Sequence, residues 1–255
     1  ACDPMLAGMA LYVDLVAHTI CRVLSSVSEC NVFQLGSCAF GCAKATSLTT
    51  GATYSATGLQ LNPQALGSWT TKAARATARD YLAVGVVNGI MYAVGGTDNN
   101  GFLLTVEAYD PATDIWTSKA PMPTARAGLA AGVVDGILYV VGGFHTGGLN
   151  VVEAYDPATN TWTTKASMPT SRGKLAAGVI SGVLYAVGGE DNNGPSGTVE
   201  AYDPVTDTWT TKAPMPTPRY DLTVGVIKGI LYAVGGYNGG CLHTVEAYNP
   251  ATGSR

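Results

Sequence analysis

Three landmarks recur in this chain at one interval. Trp69, Trp116, Trp162 and Trp209 stand 47, 46 and 47 residues apart. The glycine pairs Gly95-Gly96, Gly142-Gly143, Gly188-Gly189 and Gly235-Gly236 keep that interval, as do the Val-Glu-Ala-Tyr runs ending at Tyr109, Tyr155, Tyr202 and Tyr248. Three markers held in register four times make residues 67–255 a repeat array, whose units bury their apolar faces by stacking on one another. Residues 1–66 lie outside the array.

One repeat reads as four short strands. Leu129 to Val134 is apolar and partly β-branched, Asp135-Gly136 is a two-residue hairpin turn, and Ile137 to Val141 is a second apolar strand ending at Gly142-Gly143. After a polar, glycine-rich loop, Val151 to Tyr155 forms a third strand in which Glu153 faces away from Val152 and Ala154. Asp156-Pro157-Ala158-Thr159 is a turn with proline at its second position, and Thr161 to Lys165 is a polar, edge-like fourth strand stopped by Pro169. Four antiparallel strands per repeat make a propeller blade. Stacked helices would need apolar residues at helical spacing, which the repeats lack.

The glycine pair after an apolar strand, followed by a spaced Tyr and Trp (Gly142-Gly143, Tyr155 and Trp162, with their repeats), resembles the kelch-repeat family over about three quarters of the chain. The resemblance implies an all-β, kelch-type β-propeller of four repeats, each a four-stranded antiparallel blade. It leaves function open, because a fold does not determine its site. Kelch propellers commonly have six or seven blades. Here Ser68-Trp69-Thr70-Thr71-Lys72, with Gly67 before it, reads as an orphan fourth strand, and the fourth repeat lacks one. The orphan strand is expected to complete the last blade and remove its free edge.

Antiparallel topology sorts the loops onto two faces. The Asp-Pro turns are nearly identical from repeat to repeat and share a face with the two-residue turns. On the other face lie the loops after the glycine pairs, at 97–101, 144–150, 190–197 and 237–243, and the residues after Arg79, Arg126, Arg172 and Arg219 (Asp80-Tyr81, Ala127-Gly128, Gly173-Lys174, Tyr220-Asp221); these break the repeat. Loops on a rigid scaffold carry function. The candidate ligand-binding residues are therefore Tyr81, Asp98, Phe144, Glu190, Asp191, Tyr220 and Tyr237. The recurring Trp and Tyr residues read as blade packing. Glu107, Glu153, Glu200 and Glu246, with the four arginines, read as recurrent structural ion pairs.

Only 14 Lys and Arg stand against 18 Asp and Glu, so there is no basic composition to hold a nucleic acid. His18, His145 and His243 are each alone locally, and no zinc or calcium pattern is present. No catalytic residue, metal or cofactor is assigned. Two enzymes on kelch-type propellers keep an enzymatic alternative open. Galactose oxidase holds copper with two Tyr, two His and a Cys, and Cys241, His243, His145 and Tyr237 lie on the corresponding kind of loop. The sialic-acid-epimerase branch is the other precedent, without a residue-level match.

Residues 1–45 form a Cys-containing segment, and residues 46–66, rich in Thr, Ser and Gly, read as a linker. Asp3-Pro4 starts an expected helix of about 24 residues, with Leu6, Met9, Val13, Val16, Ile20, Val23 and Val27 on one face and Asp14, His18 and Arg22 on the other. The polar stripe argues against a membrane-spanning helix. Cys2, Cys21, Cys30, Cys38 and Cys42 cluster there and Cys241 lies in the array; all six are disulfide candidates. Disulfides, and a leader removed before Ala1, would place the protein outside the cell; buried free thiols in the cytoplasm are the alternative. The leading expectation is a noncatalytic module that binds a protein or a glycan on its variable loop face. The alternatives are a structural subunit of an extracellular assembly, a homo-oligomer driven by the N-terminal helix and cysteines, and a copper or sugar-modifying enzyme.

Overall fold

The computed structural model describes residues 68–251 and the backbone of two strands near the N-terminus, β1 (Ala10–Asp14) and β2 (Thr19–Val23). The chain divides into two compact units, Ala1–Ser68 and Trp69–Arg255. In the first, β1 and β2 pair antiparallel, with Tyr12 opposite Cys21; Tyr12, Val13, Ile20 and Val23 are types that favour strands. The rest of the expected N-terminal helix lies outside the described residues, as do the linker and Cys2, Cys30, Cys38 and Cys42. Of Cys21 only the backbone is described.

The second unit is all β, an array of four propeller blades. Blade 1 contains β3 (Ala83–Val87), β4 (Ile90–Val94), β7 (Val106–Asp110) and β8 (Ile115–Lys119), with a small hairpin of β5 (Thr97–Asp98) and β6 (Gly101–Phe102) rising from its loop face. Blade 2 contains β9 (Ala130–Val134), β10 (Ile137–Val141), β11 (Val152–Asp156) and β12 (Thr161–Thr164). Blade 3 contains β13 (Ala176–Ile180), β14 (Val183–Val187), β17 (Val199–Asp203) and β18 (Thr208–Lys212), with the hairpin β15 (Glu190–Asp191) and β16 (Gly194–Pro195). Blade 4 has three described strands, β19 (Thr223–Ile227), β20 (Ile230–Val234) and β21 (Val245–Tyr248). Each blade is a meander with neighbouring strands antiparallel. The strands of blade 2 fall within a residue of their expected bounds.

Turn chemistry sets the register. Asp135 and Gly136 both have positive φ, 48° and 78°, the type I′ pair that matches strand twist. Alternation then sorts each strand's side chains between two blade interfaces. Leu138 and Val140 pack toward blade 1, while Tyr139 and Val141 pack toward blade 3. A glycine in each inner strand opens a notch for the next blade: a methyl group on Gly85 or Gly132 would overlap Leu138 or Leu184. The glycine pair serves the same approach, since a Cβ on Gly142 would lie 2.6 Å from the Arg172 carbonyl oxygen of blade 3.

The expected ion pairs are present in all four repeats. Arg126 Nη1 meets Glu153 Oε2 at 2.5 Å, Arg172 meets Glu200 at 2.8 Å and Arg219 meets Glu246 at 2.7 Å; Arg79 pairs with Glu107 in the same way. The arginines are buried. Each guanidinium also donates to backbone carbonyls, as Arg172 does to Gly188, Thr198 and Ala186. Burial holds the Arg126 guanidinium below its usual range despite the opposing pull of Glu153, so the pair's positive member is costly to leave alone.

A second latch runs round the outside. Trp116, Trp162 and Trp209 each lie 5.1 Å from the Tyr of their own blade. Their indole nitrogens donate to Ala73, Ala120 and Ala166, which stand at the outer edge one repeat earlier. Asp114, Asn160 and Asp207, held at φ of 53–57°, accept from the same alanines' N–H groups and from Tyr109, Tyr155 and Tyr202. Asp and Asn tolerate that backbone and suit the role.

The orphan strand does not complete blade 4. Residues 68–72 form no strand, Trp69 is fully exposed, and β21 has no outer partner among the described residues. Trp116 and Asp114 hold Ala73 at the edge of blade 1, which keeps this segment at the other end of the array.

Removing one partner of a buried ion pair typically costs about 3–5 kcal/mol. Glu153→Ala, at a fully buried pair, is expected to lower the denaturant midpoint strongly. Glu246→Ala is expected to cost less, because the Glu246 side chain is 19% exposed. Equal losses in equilibrium unfolding would contradict this assignment.

Candidate functional site

At the array's loop face each post-arginine residue pairs with the loop after its own blade's glycine pair. The bridges join Asp80 to Thr97, Ala127 to Phe144, Gly173 to Glu190, and Tyr220 to Tyr237. From blade to blade the backbone then steps round the inner rim. Gly128 N–H donates to Tyr81 O, Lys174 N–H to Gly128 O, and Asp221 N–H to Lys174 O. All four residues sit in the left-handed region, at φ of 49°, 58°, 52° and 51°. That backbone is strained for Tyr and Lys, whereas Asp and Gly tolerate it. Glycine occurs only at 128, where a Cβ would collide with the Phe144 ring at 2.5 Å.

This rim encloses an open depression of about 260 Å³, lined by Tyr81, Gly128, Lys174, Asp221 and the leucines beneath them. Lys174 is its electrostatic centre. The Lys174 Nζ donates to Glu190 Oε2 at 2.6 Å and lies 4.6 Å from the Tyr220 ring and 6.0 Å from the Phe144 ring, a cation–π arrangement. The hydrogen bond to Glu190 raises the Lys174 pKa above the ordinary lysine range, so the side chain is cationic at neutral pH. Tyr81 meets Phe144 edge-on at 6.4 Å, and the Tyr220 and Tyr237 rings lie 5.4 Å apart at a tilt. Burial raises the Tyr220 phenol and the Asp221 carboxyl above their usual values; Glu190 raises Asp221 further and Lys174 opposes it.

Of the seven candidates, Tyr81 and Lys174's neighbours Phe144, Glu190 and Tyr220 come together at this depression, and Tyr237 extends the group outward. Asp98 and Asp191 sit at the hairpin tips instead, where each carboxylate accepts the N–H two residues on, from Asn100 and Asn193, at 2.7 Å. Sequence reading nominates mainly aromatic and acidic residues and passes over Lys174 and Asp221, although repeat register aligns both with Tyr81. Phe102, whose ring lies 4.7 Å from His145 at a tilt, is missed because the contact crosses between blades 1 and 2. Of the residues weighed for copper, Tyr237 and Cys241 are joined by a backbone bridge; among the described residues no three of His, Cys, Asp and Glu are grouped as metal ligands. Cys241 is exposed and has no disulfide partner among the described residues. No helix of the described residues is long and apolar enough to cross a membrane.

A family model described as the KLHDC2/KLHL20/DRC7 Kelch-repeats domain matches residues 117–254, and a Kelch motif model matches residues 78–123. A solved structure titled "Structure of YjhT" shares the fold with a TM-score of 0.60 at 20% identity, over 66% of this chain and 63% of that one. The match thus spans less than two thirds of the solved chain. No curated protein matches the sequence.

The Asp221 carboxyl is expected to titrate above the ordinary aspartate range, followed by carboxyl-carbon NMR. Lys174→Met should move the midpoint higher still, because the lysine stabilises the ionised form. A raised acid pKa in the fold means that ionising Asp221 opposes folding, so its share of stability declines as pH rises from the unfolded to the folded pKa. A midpoint at or below the ordinary value would refute the packing described.

Proposed function

Because this chain belongs to the kelch-repeat family, whose propellers serve as protein-interaction modules, we propose that it is a noncatalytic binding module that seats a segment of a partner protein on its loop face. The observation that carries this reading is the Lys174 cluster. A buttressed cation flanked by Phe144 and Tyr220 sits over a depression, on the face where the repeats diverge. Concave sites with apolar walls and a few fixed polar groups are where proteins bind ligands, and aromatic anchors dominate interface energetics. The opposite face repeats its Asp-Pro turns almost unchanged. A glycan is the second reading, favoured by the exposed Tyr237 ring packed beside Tyr220. The extracellular setting, and an assembly driven by the N-terminal segment, rest on residues outside those described.

Selection from a random-peptide display library on the immobilised chain, with a glycan array beside it, tests the proposal. Enriched peptides are expected to lose about tenfold or more in affinity with Tyr220→Ala or Lys174→Ala, the size of an interface anchor. Val205→Ala, on an exposed Asp-Pro turn, should leave binding unchanged. Array binding without peptide binding would favour the glycan. Ligands that ignore the Lys174 cluster would overturn both readings.

A further inference from the structure

The loop face constrains the charge of what it can hold. Its rim backbone spends its hydrogen bonds on itself. The N–H groups of Gly128, Lys174 and Asp221 donate to the carbonyls of Tyr81, Gly128 and Lys174, and the residues just before them, Ala127, Gly173 and Tyr220, are bridged to their own loops. A partner strand finds no edge to extend at this rim, so recognition falls to side chains.

Those side chains offer mainly acceptors. Among the described residues the rim and its loops carry the carboxylates of Asp80, Asp98, Glu190, Asp191 and Asp221 against the ammonium of Lys174. The four arginines lie beneath, each paired with a Glu of its own blade. Lys119, Lys165 and Lys212 stand at the ends of the outer strands β8, β12 and β18. Lys174 has no charge to spare. Its Nζ donates to Glu190 Oε2 at 2.6 Å, and the Asp221 carboxylate also acts on it. Two carboxylates share one ammonium, so an anionic group entering the depression meets a net negative centre.

Asp221 is the acceptor left over. It lines the depression with Tyr81, Gly128, Lys174 and the leucines of the floor. Its backbone N–H is bound to Lys174 O, but among the described residues its carboxylate accepts no hydrogen bond. The exposed Tyr81 ring borders the same depression. A carboxylate, an aromatic ring and an apolar floor together match one side chain. The arginine guanidinium is planar, stacks on aromatic rings and pairs with a carboxylate through two N–H groups, while its methylene stem covers apolar surface.

We propose that the partner segment is cationic and seats an arginine in this depression, with Asp221 as its carboxylate partner and Tyr81 as its aromatic wall. Such a seat presupposes that the chain is a protein-binding module. Lys174 then contributes by holding Glu190 and the Tyr220 ring in place, not by its charge. Asp98 and Asp191 use one oxygen each on their own hairpins and, as charges on the same face, steer a basic segment toward it.

Four pools of random peptides, rich in arginine, rich in lysine, neutral or acidic, titrated against the full chain test this. The arginine pool is expected to bind ahead of the others, and its affinity to fall as salt is raised. Asp221→Asn is expected to weaken that binding about tenfold; asparagine tolerates the left-handed backbone at 221, so the fold is kept. Asp98→Asn combined with Asp191→Asn should chiefly slow association. A neutral or acidic pool that binds ahead overturns the proposal and leaves the binding-module reading standing. A lysine pool that equals the arginine pool, or arginine-pool binding that Asp221→Asn leaves unchanged, overturns the arginine seat. Binding by none of the pools overturns the proposal together with the peptide-binding reading on which it rests.

Discussion

The buried arginine is the group on which each blade's position depends. Its side chain and its backbone act in different blades. The guanidinium of Arg172 binds Glu200 and three carbonyls of blade 3, closing the sheet it precedes. Its carbonyl accepts the N–H of Gly143 in blade 2. One residue thus joins the charge balance inside a blade to the spacing between blades. The arrangement demands glycine at both members of the preceding pair: a Cβ at 142 would lie 2.6 Å from that carbonyl oxygen, and one at 143 would lie 2.9 Å from the Ala127 carbonyl oxygen. It demands a carboxylate on the third strand, because an unpaired guanidinium in this interior would cost several kcal/mol. The Gly pair, the Arg and the Glu recur together because none of them works without the others.

Repetition is why so much of the fold is legible in the sequence. Strand bounds, hairpin turns and the ion pairs follow from local rules applied four times, and agreement among copies removes the ambiguity of any one copy. Prediction of the outer edge is less complete. The Trp latch reaches an alanine about one repeat away, and no local pattern shows that Ala73 already belongs to blade 1. The strand-like sequence of residues 68–72 accordingly points to the last blade, while the hydrogen bonds of Ala73 keep it at the first.

The candidate site is legible in a different sense. Departure from the repeat identifies the face, since positions that vary among otherwise similar blades are released from packing. It does not identify which variable residues meet. Asp98 and Asp191 vary and are acidic, yet each is satisfied by its own hairpin backbone. Lys174 becomes central only because left-handed residues at 81, 128, 174 and 221, strained at Tyr81 and Lys174, bring successive blades to one rim, where it reaches Glu190 in its own blade and Tyr220 in the next. Strain of that kind persists where surrounding contacts overdetermine it. Here the chain of rim hydrogen bonds supplies those contacts.

The same logic explains how stability is distributed along the array. In a propeller each blade is both a receiver and an insert, so stability is shared through interfaces rather than held within single blades. Leu138 belongs to blade 2 by its strand, yet it fills the notch that Gly85 leaves in blade 1, and Leu184 of blade 3 does the same at Gly132. A side chain added at either glycine therefore displaces the neighbouring blade rather than its own.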